Sequence, residues 1–316
     1  MMKKIGIIGC GRQAPKHIKG YIENGINDIF VSDIINEKAQ HLAAEFGINS
    51  LGIEELINSK EIDIYSVCTP PKTHDGIIEK LISNNKHFLC EKPISLSTDK
   101  LKRYIQMIKS NNTIAMGGYI YKFSPAYISL RETIHQKKID INKAYLRVAS
   151  PGSDAPWQHS ILDGGGVINE LVVHMVDLVQ WYFGPIKEIK TIKKNTYSLN
   201  KIIKSDNIKQ DAENYIFLKL VTESDVFVDI EADLISKEFV QFFEVNSKNF
   251  NSFCSIQPNI PLFIDNKIFK NFEFKNLYIS QIEYFLNCID KKISHTVSTL
   301  EESVSICNYI DKLKLD

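Results

Sequence analysis

Two groups of residues in this 316-residue chain have types and spacings suited to chemistry. The first is Gly9-Cys10-Gly11-Arg12-Gln13-Ala14, followed by Asp33. In this G-x-G-x-x-A spacing Gly9 allows a tight turn, and Gly11 lets the backbone approach a pyrophosphate. The small residue at 14 permits close helix packing, and the N-terminus of that helix offers positive potential to phosphates. Arg12 and Gln13 lie within the loop and are read with it as cofactor-facing. Glycines at a strand-to-helix junction can also merely shape a turn, and Asp33 can be a turn residue. Three features in register favour a bound dinucleotide. A carboxylate about twenty residues past the loop accepts hydrogen bonds from the adenosine ribose hydroxyls. It would repel a 2′-phosphate, and Ile34-Ile35-Asn36 supplies no arginine to receive one, so NAD is expected over NADP.

The second group is Glu170, His174 and Asp177, whose spacings of four and three put them on one face of a helix. Gly164-Gly165-Gly166 precede them and would let the helix start approach a ligand closely. Histidine suits proton handling near neutrality. A buried structural histidine and two surface carboxylates are the plainer alternative. No third metal ligand lies nearby, so no metal is expected. The six cysteines contain no Cys-x-x-Cys pair, which excludes a disulfide framework or zinc site from the reading.

The elements that would position these groups are legible as alternating patterns. Apolar strands are expected at Lys4–Ile8, Ile29–Asp33, Ile62–Cys68, His87–Cys90 and Ile114–Gly117. Helices are expected from Pro15, over Glu37–Phe46 to a stop at Gly47, over Ile77–Asn84 and over Asp99–Ser110. This alternation means βαβ units and a doubly wound parallel sheet. Beyond residue 120 come helices over Ser124–Gln136 and Val167–Phe183. Strand-like runs follow at Ala144–Ala149, Ile186–Thr191, Tyr215–Val221, Val226–Leu234 and Phe239–Val245. Their alternation suits a largely antiparallel, open sheet with one covered face. Tyr197–Asp211 reads as a polar, mobile loop, and helices close the chain near Leu277–Ile289 and Thr299–Leu313. The fold class is thus α/β: a Rossmann domain over 1–120 and an α+β substrate domain over 121–316, whose terminal helix can pack back on the first. The 38 basic and 38 acidic residues balance, giving no electrostatic reason to expect nucleic acid or a membrane. The apolar run at the N-terminus breaks at Gly9 and Gly11, too early for a signal core, and a cytoplasmic location is expected.

Further motifs carry a resemblance. Cys68-Thr69-Pro70-Pro71-Lys72-Thr73-His74 is followed by Glu91-Lys92-Pro93, then by Gly117-Gly118-Tyr119-Ile120-Tyr121-Lys122-Phe123-Ser124-Pro125. With Asp163–Asp177 and Trp181-Tyr182-Phe183-Gly184, their order and spacing resemble the Gfo/Idh/MocA oxidoreductases, the glucose–fructose oxidoreductase and inositol dehydrogenase family. The resemblance spans nearly the whole chain. It implies that Thr69, Pro70, His74 and Glu91-Lys92-Pro93 line the nicotinamide and that Lys92 contacts the substrate hydroxyl. Independently, a lysine at a strand end beside a cationic ring can hydrogen-bond an alcohol and help remove its proton. The alternative is a surface lysine in a turn fixed by Pro93. By resemblance His174 is the second proton-handling group, and Glu170 stands where the family usually has aspartate. Val172 stands where glycine is frequent, and Lys122 where arginine is usual, replacing a bidentate fork by a point charge.

The expected activity is reversible hydride transfer between NAD and a secondary hydroxyl of a sugar. A nucleotide sugar such as UDP-N-acetylglucosamine, oxidised at C3, is slightly preferred. Inositol or simple-sugar dehydrogenases and reductases are alternatives, as is a non-catalytic dinucleotide-binding regulator; Lys92 with His174 favours the enzyme. Tyr119, Tyr121 and Trp157 are candidates for stacking on a sugar ring. Lys122 and Arg147 are candidates for meeting an anionic substrate group. Strands after residue 210 would leave one sheet face for a partner, giving a homodimer or homotetramer.

Overall fold

The computed structural model describes residues 3–197, 210–273 and 276–315. The chain divides into two units: Met1–Tyr119 with Lys275–Cys307, and Ile120–Phe274 with Asn308–Asp316. Its first elements are β1 (Ile5–Ile8), α1 (Ala14–Glu23), β2 (Ile29–Ser32), α2 (Asn36–Phe46), β3 (Asn49–Ser50) and α3 (Ile53–Asn58). There follow β4 (Ile64–Val67), α4 (Pro71–Ser83), β5 (His87–Cys90), α5 (Thr98–Lys109) and β6 (Ala115–Gly117). The second unit contributes α6 (Pro125–Gln136), β7 (Lys143–Ala149), α7 (Val173–Phe183), β8 (Ile186–Asn195), β9 (Tyr215–Thr222), β10 (Phe227–Asp233) and β11 (Val240–Ser247). It continues through β12 (Phe250–Cys254), β13 (Leu262–Ile264) and β14 (Lys267–Lys270), and the chain closes with α8 (Leu277–Asp290) and α9 (Leu300–Leu315).

In the first unit six parallel strands lie in the order β3-β2-β1-β4-β5-β6. Ile5 of β1 is in register with Ile29 of β2 and Ile64 of β4. Both β1 and β4 are buried along their whole length. A parallel sheet covered by helices on both faces requires such continuous apolar runs. The order reverses between β1 and β4, and ligands of such sheets bind outside the carboxyl ends of the strands at this switch. Pro15 stands in the first turn of α1, and Pro71 opens α4 six residues earlier than the apolar pattern suggested.

The sequence expectation set one boundary near 120 and allowed the terminal helix to pack back on the first domain; Lys275–Cys307 groups with the first unit. Ile282 and Phe285 of α8 are fully buried. Gly20 of α1 makes the close approach possible, because a Cβ there would collide with the Ile282 side chain. α9 begins in a capping box: Glu302 N–H donates to Thr299 Oγ1 at 3.1 Å, and Thr299 N–H to Glu302 Oε2 at 3.1 Å.

The second unit holds eight strands in the order β14-β13-β12-β11-β7-β10-β9-β8. Among the described residues β7 and β10 pair in parallel and the other neighbours are antiparallel. Alternation in β7 buries Ala144, Leu146 and Val148 on one face. On that side Tyr182 of α7 meets Phe243 of β11 edge-on, at 4.9 Å between ring centroids. The opposite face carries Phe242 stacked on Phe253 at 5.5 Å. Ile168–Val172 winds as a π-type turn ahead of α7, so the helix expected over Val167–Phe183 is not uniform. Of the expected polar loop at Tyr197–Asp211, residues 198–209 lie outside the described residues. Among the described residues no helix is long and apolar enough to cross a membrane.

Candidate functional site

The glycine turn leaves β1 with Gly9 at φ +96°, a conformation that favours glycine. A Cβ there would lie 2.7 Å from Thr69 Cγ2 and 2.8 Å from the Thr69 backbone nitrogen. Gly11 differs: no atom lies within 4 Å of where its Cβ would be, so its backbone is open to a ligand. Asp33, just past β2, accepts from Cys10 N–H at 2.8 Å and from Ile35 N–H at 2.9 Å. These bonds aim the carboxylate at the turn while leaving acceptor capacity for ribose hydroxyls. Burial, with the Asp33 charge beside it, pushes the Cys10 thiol up to about 12, so it stays protonated. Arg12 is exposed, and Gln13 accepts from the Tyr278 hydroxyl at 2.9 Å. At the end of β4 the Thr69 hydroxyl is buried with no hydrogen-bond partner among the described residues. An orphaned hydroxyl beside an open glycine turn fits a bound dinucleotide.

Two strand ends over, Glu91 and Lys92 are buried at the carboxyl end of β5. The peptide bond between Lys92 and Pro93 is cis. His74 is fully buried in α4, with Nε2 at 2.8 Å from the Thr69 carbonyl and Nδ1 at 2.9 Å from that of Pro93. Burial lowers its proton affinity, against the opposing pull of those carbonyls and Glu91. His74 therefore ties the Thr69 loop to the lysine turn and does not present a ring nitrogen to a cofactor. Glu91 reaches His17 of α1, Oε1 to Nε2 at 2.9 Å. Burial alone would raise the Glu91 carboxyl. The bond and charge of His17, with Lys92 and Lys16, outweigh it and hold the group below its ordinary value.

In the second unit Tyr121 stacks on His174 at 4.7 Å between centroids and 29° between planes. Burial, with Glu170 as the neighbouring charge, raises the Tyr121 phenol and keeps it protonated. Tyr121, Glu170 and His174 are therefore one cluster. Lys122 and Asp177 sit alongside as an ion pair at 2.7 Å, each side chain 1% exposed.

Several expectations change with this geometry. Lys122 is committed to Asp177, and Asp177 is no surface charge. Arg147 is committed to Asp233 and lies 3.8 Å from Glu231, leaving no free fork for a substrate anion. Tyr119 is 1% exposed, with its ring against Gly117, where a Cβ would meet it at 2.7 Å. It belongs to the core and stacks on no sugar. Tyr121 stacks on His174 and orients that ring, whereas Trp157 is half-buried. Two of the three glycines before α7 receive protein instead of ligand: a Cβ on Gly165 would strike the backbone of Trp157 and Gln158, and one on Gly166 the Glu213 carboxylate. Sequence reasoning missed His17, Ser66 and Glu213, because their partners are distant in the chain. Glu213 accepts from Ile168 N–H at 3.1 Å, and burial raises its carboxyl despite that bond.

Residues 3–119 match the model of the oxidoreductase family with an NAD-binding Rossmann fold, and residues 128–248 that of the GFO/IDH/MocA C-terminal domain. Inositol 2-dehydrogenase of Rhizobium meliloti (strain 1021) is 25% identical over 185 residues, covering 58% of this chain and 56% of that protein. The scyllo-inositol 2-dehydrogenase (NAD(+)) of Bacillus subtilis (strain 168) is 26% identical over 201 residues, covering 62% and 58%. The chain thus spans a little over half the length of these curated relatives. Levoglucosan dehydrogenase solved with NADH and levoglucosan has a TM-score of 0.85 at 15% identity, covering 99% of this chain and 96% of that one. UDP-N-acetylglucosamine 3-dehydrogenase GnnA from Acidithiobacillus ferrooxidans has a TM-score of 0.83 at 18% identity, covering 100% and 97%. Those structures share the fold. With both of its characteristic domains matched in order, the chain belongs to the Gfo/Idh/MocA oxidoreductase family.

Proposed function

We propose that this protein is an NAD-dependent oxidoreductase acting on a secondary hydroxyl of a cyclic polyol or sugar. The observation that carries the reading is Lys92, buried at the carboxyl end of β5 in the sheet whose β1 and β2 ends bear the open Gly11 turn and Asp33. The Gly9–Ala14 turn and the start of α1 would hold the pyrophosphate, Asp33 the adenosine ribose, and Thr69 with Lys92 the neighbourhood of the nicotinamide. The cofactor supplies the hydride acceptor for the carbinol carbon. Lys92 hydrogen-bonds the reacting hydroxyl and would receive its proton as the neutral amine, the form that the cationic cofactor ring beside it would favour. His174, held flat by Tyr121, is the second proton-handling group, and Glu170 accepts a hydrogen bond from an adjacent hydroxyl.

The inositol dehydrogenases among the relatives support an inositol or other unphosphorylated ring polyol. This fits the commitment of Lys122 and Arg147 to internal carboxylates, which leaves neither for a phosphate. A nucleotide sugar oxidised at C3 is the second reading, supported by the full-length likeness to GnnA. Self-association through the sheet face bearing Phe242 and Phe253 belongs to the same proposal, and light scattering after gel filtration checks it.

Purified protein mixed near-stoichiometrically with NAD⁺ is to be challenged with inositols, simple sugars and UDP-sugars while reduced-nicotinamide absorbance is followed. A rise with an inositol supports the first substrate class, and one with UDP-N-acetylglucosamine the second. NAD binding with no rise from any compound counts against oxidation of these hydroxyls. With the active compound, Lys92→Ala is expected to lose about 100-fold or more in turnover while keeping its NAD affinity. Undiminished turnover would remove Lys92 from the chemistry.

A further inference from the structure

Beneath the lysine turn a buried polar chain joins Glu91 to His17, Ser66 and Tyr21, which none of the motifs includes. His17 is 0% exposed. Its Nδ1 lies 3.0 Å from Ser66 Oγ in β4, its Nε2 lies 2.9 Å from Glu91 Oε1, and Ser66 Oγ lies 3.0 Å from the Tyr21 hydroxyl. The proton order in this chain follows from chemistry. Burial raises the Tyr21 phenol, which therefore keeps its proton, and Glu91 is a carboxylate, which only accepts. Tyr21 O–H then donates to Ser66, and the ring proton on Nε2 donates to Glu91.

We infer that His17 is a positioning residue, which holds the Glu91 side chain in place and thereby sets the backbone and electrostatic surroundings of Lys92. The inference rests on the reading of Lys92 as the proton-accepting group. Glu91 is otherwise tightly enclosed. Its amide donates to the Val67 carbonyl at 2.9 Å, and a Cβ on Gly118 would lie 2.9 Å from its Cα and 3.2 Å from Oε2. A carboxylate this enclosed has little freedom except through its partner, and His17 is that partner from α1. Lys16 also faces it from α1, Lys92 from the turn, Cys68 and Cys90 from the ends of β4 and β5, and His74 from α4. Removing the His17 donor leaves burial opposed only by the Lys92 and Lys16 charges, and the carboxyl is expected to take up a proton. Lys92 then loses the negative charge beside it. Because α1 begins at the glycine turn, the same histidine ties the phosphate-binding helix to the lysine turn within one unit.

The test needs no substrate, so it stands apart from the fate of the Lys92 reading, which the turnover of Lys92→Ala decides. Protein labelled with 13C in glutamate carboxyls and in lysine side chains is compared as wild type, His17→Leu and His17→Gln. Signals are assigned by their loss in Glu91→Gln and Lys92→Ala. The expected result at pH 7 is an upfield shift of the Glu91 carboxyl signal in His17→Leu, with a displaced Lys92 signal. Both return toward wild type in His17→Gln, whose amide donates from nearly the Nε2 position. A merely structural histidine would not be rescued in this selective way. An ionised Glu91 and an unmoved Lys92 signal in folded His17→Leu overturn the inference. Should His17→Leu not fold, His17→Phe takes its place: an ionised Glu91 and an unmoved Lys92 signal there overturn the inference equally, and a protonated Glu91 with a displaced Lys92 signal supports it.

Discussion

The two units treat similar residues in opposite ways. In the first, Gly11 faces open space and Asp33 is held at the turn with acceptor capacity to spare. In the second, Gly165 and Gly166 are filled by the backbone of Trp157–Gln158 and by Glu213, and Lys122 is sealed against Asp177. A glycine therefore marks a close approach without saying whether ligand or protein makes it. A cation likewise marks an anion without saying whose. At the glycine turn the first unit keeps polar groups available, whereas ahead of α7 the second pairs its own with protein.

That contrast can be broken by substitution. The largest effect is expected for Lys122→Met, which leaves Asp177 as a buried charge without its lysine and should cost about 3–5 kcal/mol in chemical denaturation. A change well under that would mean Lys122 is available to ligands after all. Next is Gly165→Ala, where a methyl group must displace backbone; a loss of about 1–3 kcal/mol is expected. Its counterpart Gly11→Ala should leave thermal stability nearly unchanged and weaken NAD binding instead, as read by nicotinamide fluorescence. If both variants lose stability alike, the open and filled turns are not distinct. The most selective effect is expected for Asp33→Ala, which removes a charged acceptor worth roughly 1.5–3 kcal/mol and so weakens NAD more than NADP. Equal weakening of both would show that the carboxylate does not read the ribose.

These differences also explain what could be read from the sequence. The parallel sheet was legible because β1 and β4 are buried on both faces, and their apolar runs carry that signature directly. β3 and α3 were not anticipated, being short, and β14 was not because all four of its residues are exposed and carry no inside-outside pattern. The glycine turn and Asp33 share one local stretch with known spacing. The partners of Lys122, Arg147 and His17 lie 55, 86 and 74 residues away, and no spacing rule reaches them. The i, i+4 spacing of Glu170 and His174 holds for a regular helix, which the π-type turn at Ile168–Val172 is not.

The return of Lys275–Cys307 to the first unit bears on how the chain is made. Gly20 and its neighbours on α1 are synthesised early, but the helix that covers them arrives with Ile282. At about 5–20 residues per second, that face waits roughly 13–50 seconds for its cover during translation. The cofactor-binding half, although first to emerge, is thus among the last to be completed. A ribosome stalled before α8 would release a chain with an apolar helix face open to chaperones or to aggregation.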